Sequence, residues 1–182
     1  MSLKIITAPE EYNPAPGELP VFLGGGITHC PDWQDAVCRE LKEHLASAPV
    51  QVVVFNPRRT VFDMTDPNAG REQIEWEFRN LGRMGIFSML FWGTADSGQP
   101  ICFYELGRYV ETMKRRFPRT WHRRIVVSVS ERFPRRLDVA VQLRLATNGQ
   151  ITPIAAGYHP ALVSLHAEAI AEAVEDLFHL PA

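Results

Sequence analysis

The feature that most constrains this chain is a series of short, almost uninterrupted apolar runs separated by segments whose apolar residues recur at a helical period. The runs are Leu19–Leu23, Val50–Phe55, Ile86–Trp92 and Arg124–Ser130. A strand with one wet face alternates apolar and polar residues, whereas a run apolar on both sides needs cover on both faces, the condition of a parallel sheet between helical layers. The intervening segments supply the helices. Pro31 and Asp32 start one that carries Trp33, Ala36, Val37, Leu41 and Leu45 near the 3.6 period. A second is expected from Arg71 to Gly82 with Ile74, Phe78 and Leu81 inward, and a third opens at Pro100 and runs to about Arg115. Further helices are expected over Arg135–Leu145 and along Leu162, Leu165, Ile170, Val174 and Leu177, with a turn at Asn148-Gly149 and a short strand at Ile151–Ile154. The expected fold class is α/β, a flavodoxin-like or Rossmann-like three-layer sandwich with a mainly parallel sheet of four or five strands. A chain of 182 residues, 46% hydrophobic, suits one core. Residues 19–182 read as one domain, and residues 1–18, with prolines from Pro9 onward, as an extended lead-in.

Charge and cysteine usage remove several classes. Nineteen basic and 21 acidic residues give a net charge of −2, far from the basic footprint of a duplex-binding protein. Cys30, Cys38 and Cys102 cannot all pair and form no CxxC, as expected of reduced thiols in a cytoplasmic protein. Met1 to Ile6 lacks a secretory signal, and no stretch approaches a 20-residue apolar span, so no membrane partner is expected. The six histidines, His159 among them, lack HxxxH or Cys-His ligand spacing, and no metal or other cofactor is expected. Ser128 and Ser130 sit on a strand without G-x-S-x-G.

In open parallel sheets ligands bind beyond the carboxyl ends of the strands, so the loops after the first three runs are the place to look. Gly24-Gly25-Gly26-Ile27-Thr28 lets backbone approach a ligand closely, yet it is neither GxGxxG nor a phosphate loop, and a plain strand-to-helix turn is the competing account. Asn56-Pro57-Arg58-Arg59 sets two guanidinium groups at a strand end, suited to an anion or to the solvent. Glu77 shares a helix face with Ile74 and Leu81, and Glu105 one with Ile101 and Tyr109. A buried carboxylate needs a partner or a task. Two carboxylates on adjacent helices can break a glycosidic bond, one attacking the anomeric carbon while proton donation assists the leaving group. The helix N-terminus is expected to favour ionised Glu105. The alternatives are a salt bridge from Glu105 to Arg108 or Arg79, and an arginine or tyrosine partner for Glu77. Asp96 and Ser97 read as caps of the Pro100 helix.

Taken in order, Phe22–Thr28, Trp33-Gln34, Asn56–Arg59, Glu72–Glu77, Phe91-Trp92 and Tyr104–Arg108 resemble the nucleoside 2-deoxyribosyltransferase-like family, in a divergent branch to which Asp138-Val139 and Gln142 also look similar. The resemblance implies a flavodoxin-like domain in which Glu105 is the nucleophile and Glu77 handles the base or its proton. It also implies a sugar and base pocket at Gly25 and Gly26, and oligomers whose sites a neighbour completes. Gln99 departs from the pattern, standing where transferases of the family carry aspartate and related nucleotide hydrolases carry serine. Ile101 and Phe103 replace residues that are usually small.

The expected catalytic residues are therefore Glu105 and Glu77. The expected substrate-binding set is Gly24, Gly25, Gly26, Ile27, Trp33, Gln34, Asn56, Arg58, Arg59, Gln73, Trp92, Gln99 and Tyr104. The expected reaction is cleavage of the N-glycosidic bond of a (deoxy)nucleoside through a covalent glycosyl-glutamate, with transfer of the sugar to another base. Hydrolysis of a nucleoside or its 5′-monophosphate and a non-catalytic nucleotide-sensing module stand as alternatives. The expected partners are a small nucleoside or nucleotide and further copies of the chain, as a dimer or larger homo-oligomer, and not nucleic acid.

Overall fold

The computed structural model describes residues 3–63, 65–94, 96–157 and 160–179, so His159 falls outside the described residues. Six parallel strands form one sheet: β1 Leu3–Thr7, β2 Leu19–Gly25, β3 Val52–Asn56, β4 Ile86–Phe91, β5 Ile125–Ser130 and β6 Ile154–Ala156. Their spatial order is β1-β3-β2-β4-β5-β6, with every neighbouring pair parallel. β3, β4 and β5 are buried at every residue, as the apolar runs require. The helices are α1 Trp33–His44, α2 Ala69–Leu81, α3 Pro100–Arg116, α4 Arg136–Ala146 and α5 Ala161–Phe178. α1 and α5 pack on one face around Trp33, Val37, Leu41, Ile170 and Val174. α2, α3 and α4 cover the other around Trp76, Leu106, Val110, Val139 and Leu143. This is the three-layer α/β sandwich.

The sheet has more strands than the four or five expected. The additional one is β1, in the segment read as a lead-in: it pairs with β3 from Leu3↔Val52 to Thr7↔Asn56. An edge strand with only one neighbour keeps exposed positions, here Lys4, and so lacks the continuous apolar run that betrays the inner strands. The return from β1 to β2 is held against α2, where the Trp76 indole donates to the Glu10 carbonyl at 2.8 Å and Arg79 pairs with Glu11.

α2 also differs from expectation. Ile74 and Phe78, taken as its inward stripe, are 67% and 54% exposed, while Ala69, Trp76, Asn80 and Leu81 are buried. The helix is turned so that Trp76 fills the core beside Phe22 and Phe55. Its half-buried edge is polar, Gln73 and Glu77 one turn apart. Phe78 is covered from outside by the Arg108 guanidinium, 4.6 Å from its ring centroid. α3 is displaced in the same sense: Cys102, Leu106, Tyr109, Val110 and Met113 are buried, Ile101 is exposed, and Glu105 lies at the margin of the stripe.

Candidate active site

From β2 the chain runs one way across the sheet to β3 and then back past β2 to β4, so the carboxyl ends of β2 and β4 flank a switch point where a crevice opens. A cavity of about 320 Å³ lies there, near the lower end of small-molecule sites, which span roughly 300–1,000 Å³. Its walls come from Gly24–Thr28 at and just beyond the end of β2, Pro57 after β3, Glu77 on α2, and Ser97, Gln99, Pro100, Ile101, Cys102 and Glu105 around the start of α3.

The glycine loop is pressed against its neighbours. Gly25 has φ +145°, and a Cβ on it would lie 2.3 Å from the Leu90 carbonyl oxygen. A Cβ on Gly26 would lie 2.7 Å from the Gln99 amide carbon and 2.8 Å from Cys30 Sγ. Gly25 therefore needs glycine, whereas a side chain at Gly26 would have to displace the ends of Gln99 and Cys30. Gln99, at φ 46° and ψ 50°, is the N-cap of α3 in the left-handed region, which costs a non-glycine residue roughly 1–2 kcal/mol. Two hydrogen bonds offset that cost: Gln99 Nε2 donates to the Trp92 carbonyl at 2.7 Å and the Trp92 N–H donates to Gln99 Oε1 at 3.3 Å. The side chain is thus folded back as the cavity floor. Asp96 and Ser97 do not cap α3, because Gln99 takes the cap position and makes no side-chain cap bond.

Several residues expected to bind substrate instead hold the loops. Trp33 is fully buried between sheet and α5, its indole donating to the Gly26 carbonyl at 2.9 Å from behind the loop. Trp92 is also buried on the α1/α5 face. Arg58 does not present its guanidinium to a ligand. Its Nη2 donates to the carbonyls of Ile27, Cys30 and Pro31 at 3.1, 3.0 and 2.8 Å, and its Nε to Gln34 Oε1 at 3.0 Å. Asn56 Oδ1 accepts from the Arg58 backbone N–H at 2.9 Å. Gln34, Asn56 and Arg58 therefore tie the loop after β3 to the loop after β2. Tyr104 is 62% exposed outside the cavity and accepts from Arg108 at 3.1 Å.

Arg59, Gln73 and Ile27, with Thr28, Pro57 and Phe62, line a second compartment of about 320 Å³ that shares the Ile27, Thr28 and Pro57 wall with the first. Arg59 pairs with Glu72 at 2.7 Å and donates to Gln73 Oε1 at 2.6 Å. Asp138 and Gln142 are elsewhere, in a groove between α3 and α4 with Phe103, Leu106 and Arg135.

Glu77 and Glu105 come together on the first cavity, both half-buried. Among the described residues neither forms an ion pair with an arginine: Arg79 pairs with Glu11 and Arg108 lies over Phe78, while Arg59 acts on Glu77 through its charge alone. Glu77 accepts from Gln73 Nε2 at 2.7 Å. Burial pushes Glu105 up to about 8, with the nearby Glu77 charge adding to the rise. The expectation that the helix N-terminus keeps Glu105 ionised is thus reversed: Glu105 sits a full turn beyond the N-terminus, where burial outweighs the dipole. Burial also raises Glu77, but the Gln73 hydrogen bond and the Arg59 charge oppose it. Burial and the neighbouring carboxylate together disfavour ionising both acids at once.

The sequence pointed to both acids, the glycine loop and Gln99, but not to Cys102, Pro100 or Ser97 as wall. Cys102 follows Gln99 by three residues on α3, and that spacing was the available signal. Among the described residues no helix is long and apolar enough to cross a membrane, and no group of three or more His, Cys, Asp or Glu could hold a metal ion.

A search of curated proteins finds no match to this chain. The sequence model of one family, described as nucleoside 2-deoxyribosyltransferase like, matches residues 18–119, more than half of the chain and the whole stretch from β2 through α3 that builds the cavity. The match stops before α4, so Asp138 and Gln142 lie outside it. A doubly wound sheet with two carboxyl groups at its switch point and a family match over those same elements lead to one assignment: the chain belongs to the nucleoside 2-deoxyribosyltransferase-like family.

Proposed function

We propose that the protein is an enzyme that cleaves the N-glycosidic bond of a (deoxy)nucleoside and transfers the sugar to a second base. The observation that carries this reading is the pair of half-buried acids, Glu77 and Glu105, on one cavity at the switch point. Glu105 Oε attacks the anomeric carbon as the bond to the base nitrogen breaks, through an oxocarbenium-like transition state. The bonding electrons go to the base, and a proton from Glu77 neutralises it. An incoming base then attacks the same carbon, Glu105 leaves as a carboxylate, and the incoming base's proton returns to Glu77. Water in the place of that base gives hydrolysis. Glycines 24–26 and Ile27 line the sugar side, and the adjoining compartment walled by Arg59, Phe62 and Gln73 gives the base room to extend.

The test is incubation with a panel of nucleosides and their monophosphates, with and without a second free base, following release and exchange. Exchange together with a glycosyl adduct on Glu105 in mass spectrometry supports transfer. Release alone supports hydrolysis, and binding with neither supports a sensor. Ile74, Phe78, Ile101 and Tyr104, all exposed on α2 and α3, form the surface that a second copy of the chain covers in this proposal. Phe78→Asp should then lower the sedimentation coefficient to that of a monomer. A wild-type protein already sedimenting as a monomer rejects the oligomer.

A further inference from the structure

Glu77 and Glu105 share a cavity but are held differently. Gln73 precedes Glu77 by one turn of α2, and its amide can take only one orientation. Nε2 donates to the Pro57 carbonyl at 2.7 Å, an oxygen able only to accept, while Oε1 accepts from Arg59 Nε at 2.6 Å. The remaining amide hydrogen goes to Glu77 Oε1 at 2.7 Å. Arg59 is itself fixed, its side chain 9% exposed and bonded to Glu72. Among the described residues Glu105 has no hydrogen-bond or ion-pair partner; what acts on it is burial and Glu77.

We propose that Gln73, clamped by Arg59, is the positioning residue that decides which acid carries the shared proton, fixing Glu77 as the carboxylate and Glu105 as the acid before substrate binds. The inference rests on the cavity being the site of N-glycosidic chemistry. A donor aimed at a carboxylate stabilises its charged form, and Glu77 alone receives one. The other groups facing the pair do not compete for the proton. From α3, burial holds Cys102 as a thiol and Tyr109 as a phenol, both raised further by Glu105. From the loop after β2, burial raises Cys30 against the opposing charge of Arg58. From the loop after β3, Arg59 adds its positive charge on the side of ionised Glu77.

The proton therefore starts on the acid that must become the nucleophile. Catalysis then includes one transfer before attack, from Glu105 to Glu77 Oε2, which leaves Glu105 anionic and arms Glu77 as the donor. Gln73 permits this because it occupies only Oε1, which accepts whether Glu77 is charged or neutral.

The test is direct titration of the substrate-free protein with ¹³C-labelled glutamate carboxyl groups. Glu77 and Glu105 are assigned by E77Q and E105Q, and the pH profile of single-turnover base release is measured in parallel. Glu77 should titrate below Glu105 in the wild type. Gln73→Met, of similar length but without the donor, should raise the Glu77 step by about one pH unit and move the acid limb of base release the same way. Arg59→Met, which removes both the clamp on Gln73 Oε1 and a positive charge beside Glu77, should shift it in the same direction, and Gln73→Leu carries the Gln73 arm of the test if Gln73→Met does not fold. A Glu77 step unmoved in both variants, or a wild type in which Glu105 titrates first, overturns the proposal. A shifted titration in a protein that releases no base leaves this inference standing and removes the function on which it rests, whereas base release with unmoved steps does the reverse.

Discussion

Two pairs of proton-carrying side chains lie on opposite faces of the same sheet, and only one of them opens to a cavity. On the α2/α3 face Glu77 and Glu105 meet at the switch point. On the α1/α5 face Ser128 Oγ shares a hydrogen bond of 2.8 Å with His166 Nδ1, with Trp33 edge-on to the imidazole at 6.0 Å. Judged by residue type, the serine and histidine are the more familiar catalytic couple. Their position argues otherwise: both are fully buried, and His166 Nε2 has no partner among the described residues. Burial holds His166 down to about 3, so the couple stays neutral, while it holds Glu105 up to about 8, where one proton can be exchanged near neutral pH. Burial favours the neutral form in both places. Access to a cavity, and a second acid to receive the proton, set the candidate site apart from a pair that only packs.

The largest expected contrast is in turnover. Glu105→Gln should lower single-turnover base release by about 10³-fold or more, because an amide is a poor nucleophile, while the melting temperature near neutral pH holds or rises. His166→Leu should leave base release per folded molecule unchanged and cost about 1–3 kcal/mol of stability by stranding the Ser128 hydroxyl. A His166→Leu protein with full stability and lost activity would invert the comparison.

The two faces should also respond oppositely to pH. Glu105 has a folded pKa above its ordinary 4.5, so the folded state binds more protons between about 4.5 and 8 and loses stability as pH rises through that window. His166 has a folded pKa below its ordinary 6.5, so the unfolded state binds more protons and stability falls as pH drops from about 6.5 toward 3. Urea denaturation across pH 4–9 should show Glu105→Gln flattening the alkaline decline and His166→Leu flattening the acid one. A variant that flattens the limb assigned to the other would break the assignment.

The smallest expected effect belongs to Arg58. Its hydrogen bonds to three carbonyls and Gln34 support the glycine loop, so Arg58→Lys should weaken nucleoside and monophosphate binding alike, by about five- to tenfold in Kd. A loss confined to monophosphates would mean that the guanidinium reaches the ligand after all.

Much of this was legible because covered strands and amphipathic helices leave periodic traces. Val52–Asn56 and Ile86–Phe91 are buried throughout and almost wholly apolar because layers cover both faces, and the chain at the end of β2 needs glycine where Leu90 presses on it. What misled is equally specific. The face of α2 cannot be read from periodicity when Ile74 and Phe78 are apolar yet exposed and its cavity edge is polar. Arg58 looks like an anion site at a strand end, because nothing local shows that carbonyls from the loop after β2 lie within its reach. Gln99 is singled out in sequence only through the family resemblance, but that its amide grips the Trp92 backbone depends on a left-handed turn that residue identity does not announce.

The strand β1 has one further consequence, for solubility. It occupies the outer side of β3, whose other side pairs with β2, so it supplies the hydrogen-bond partners of what would otherwise be a bare sheet edge. The family match begins at residue 18, and a truncation placed there would uncover the backbone of Val52–Asn56, an apolar segment of high β propensity. Such edges template pairing with other chains. The shortened protein is expected to keep the cavity walls yet to grow into aggregates within hours at micromolar concentration, visible as rising scattered light, while the full chain under the same conditions stays clear.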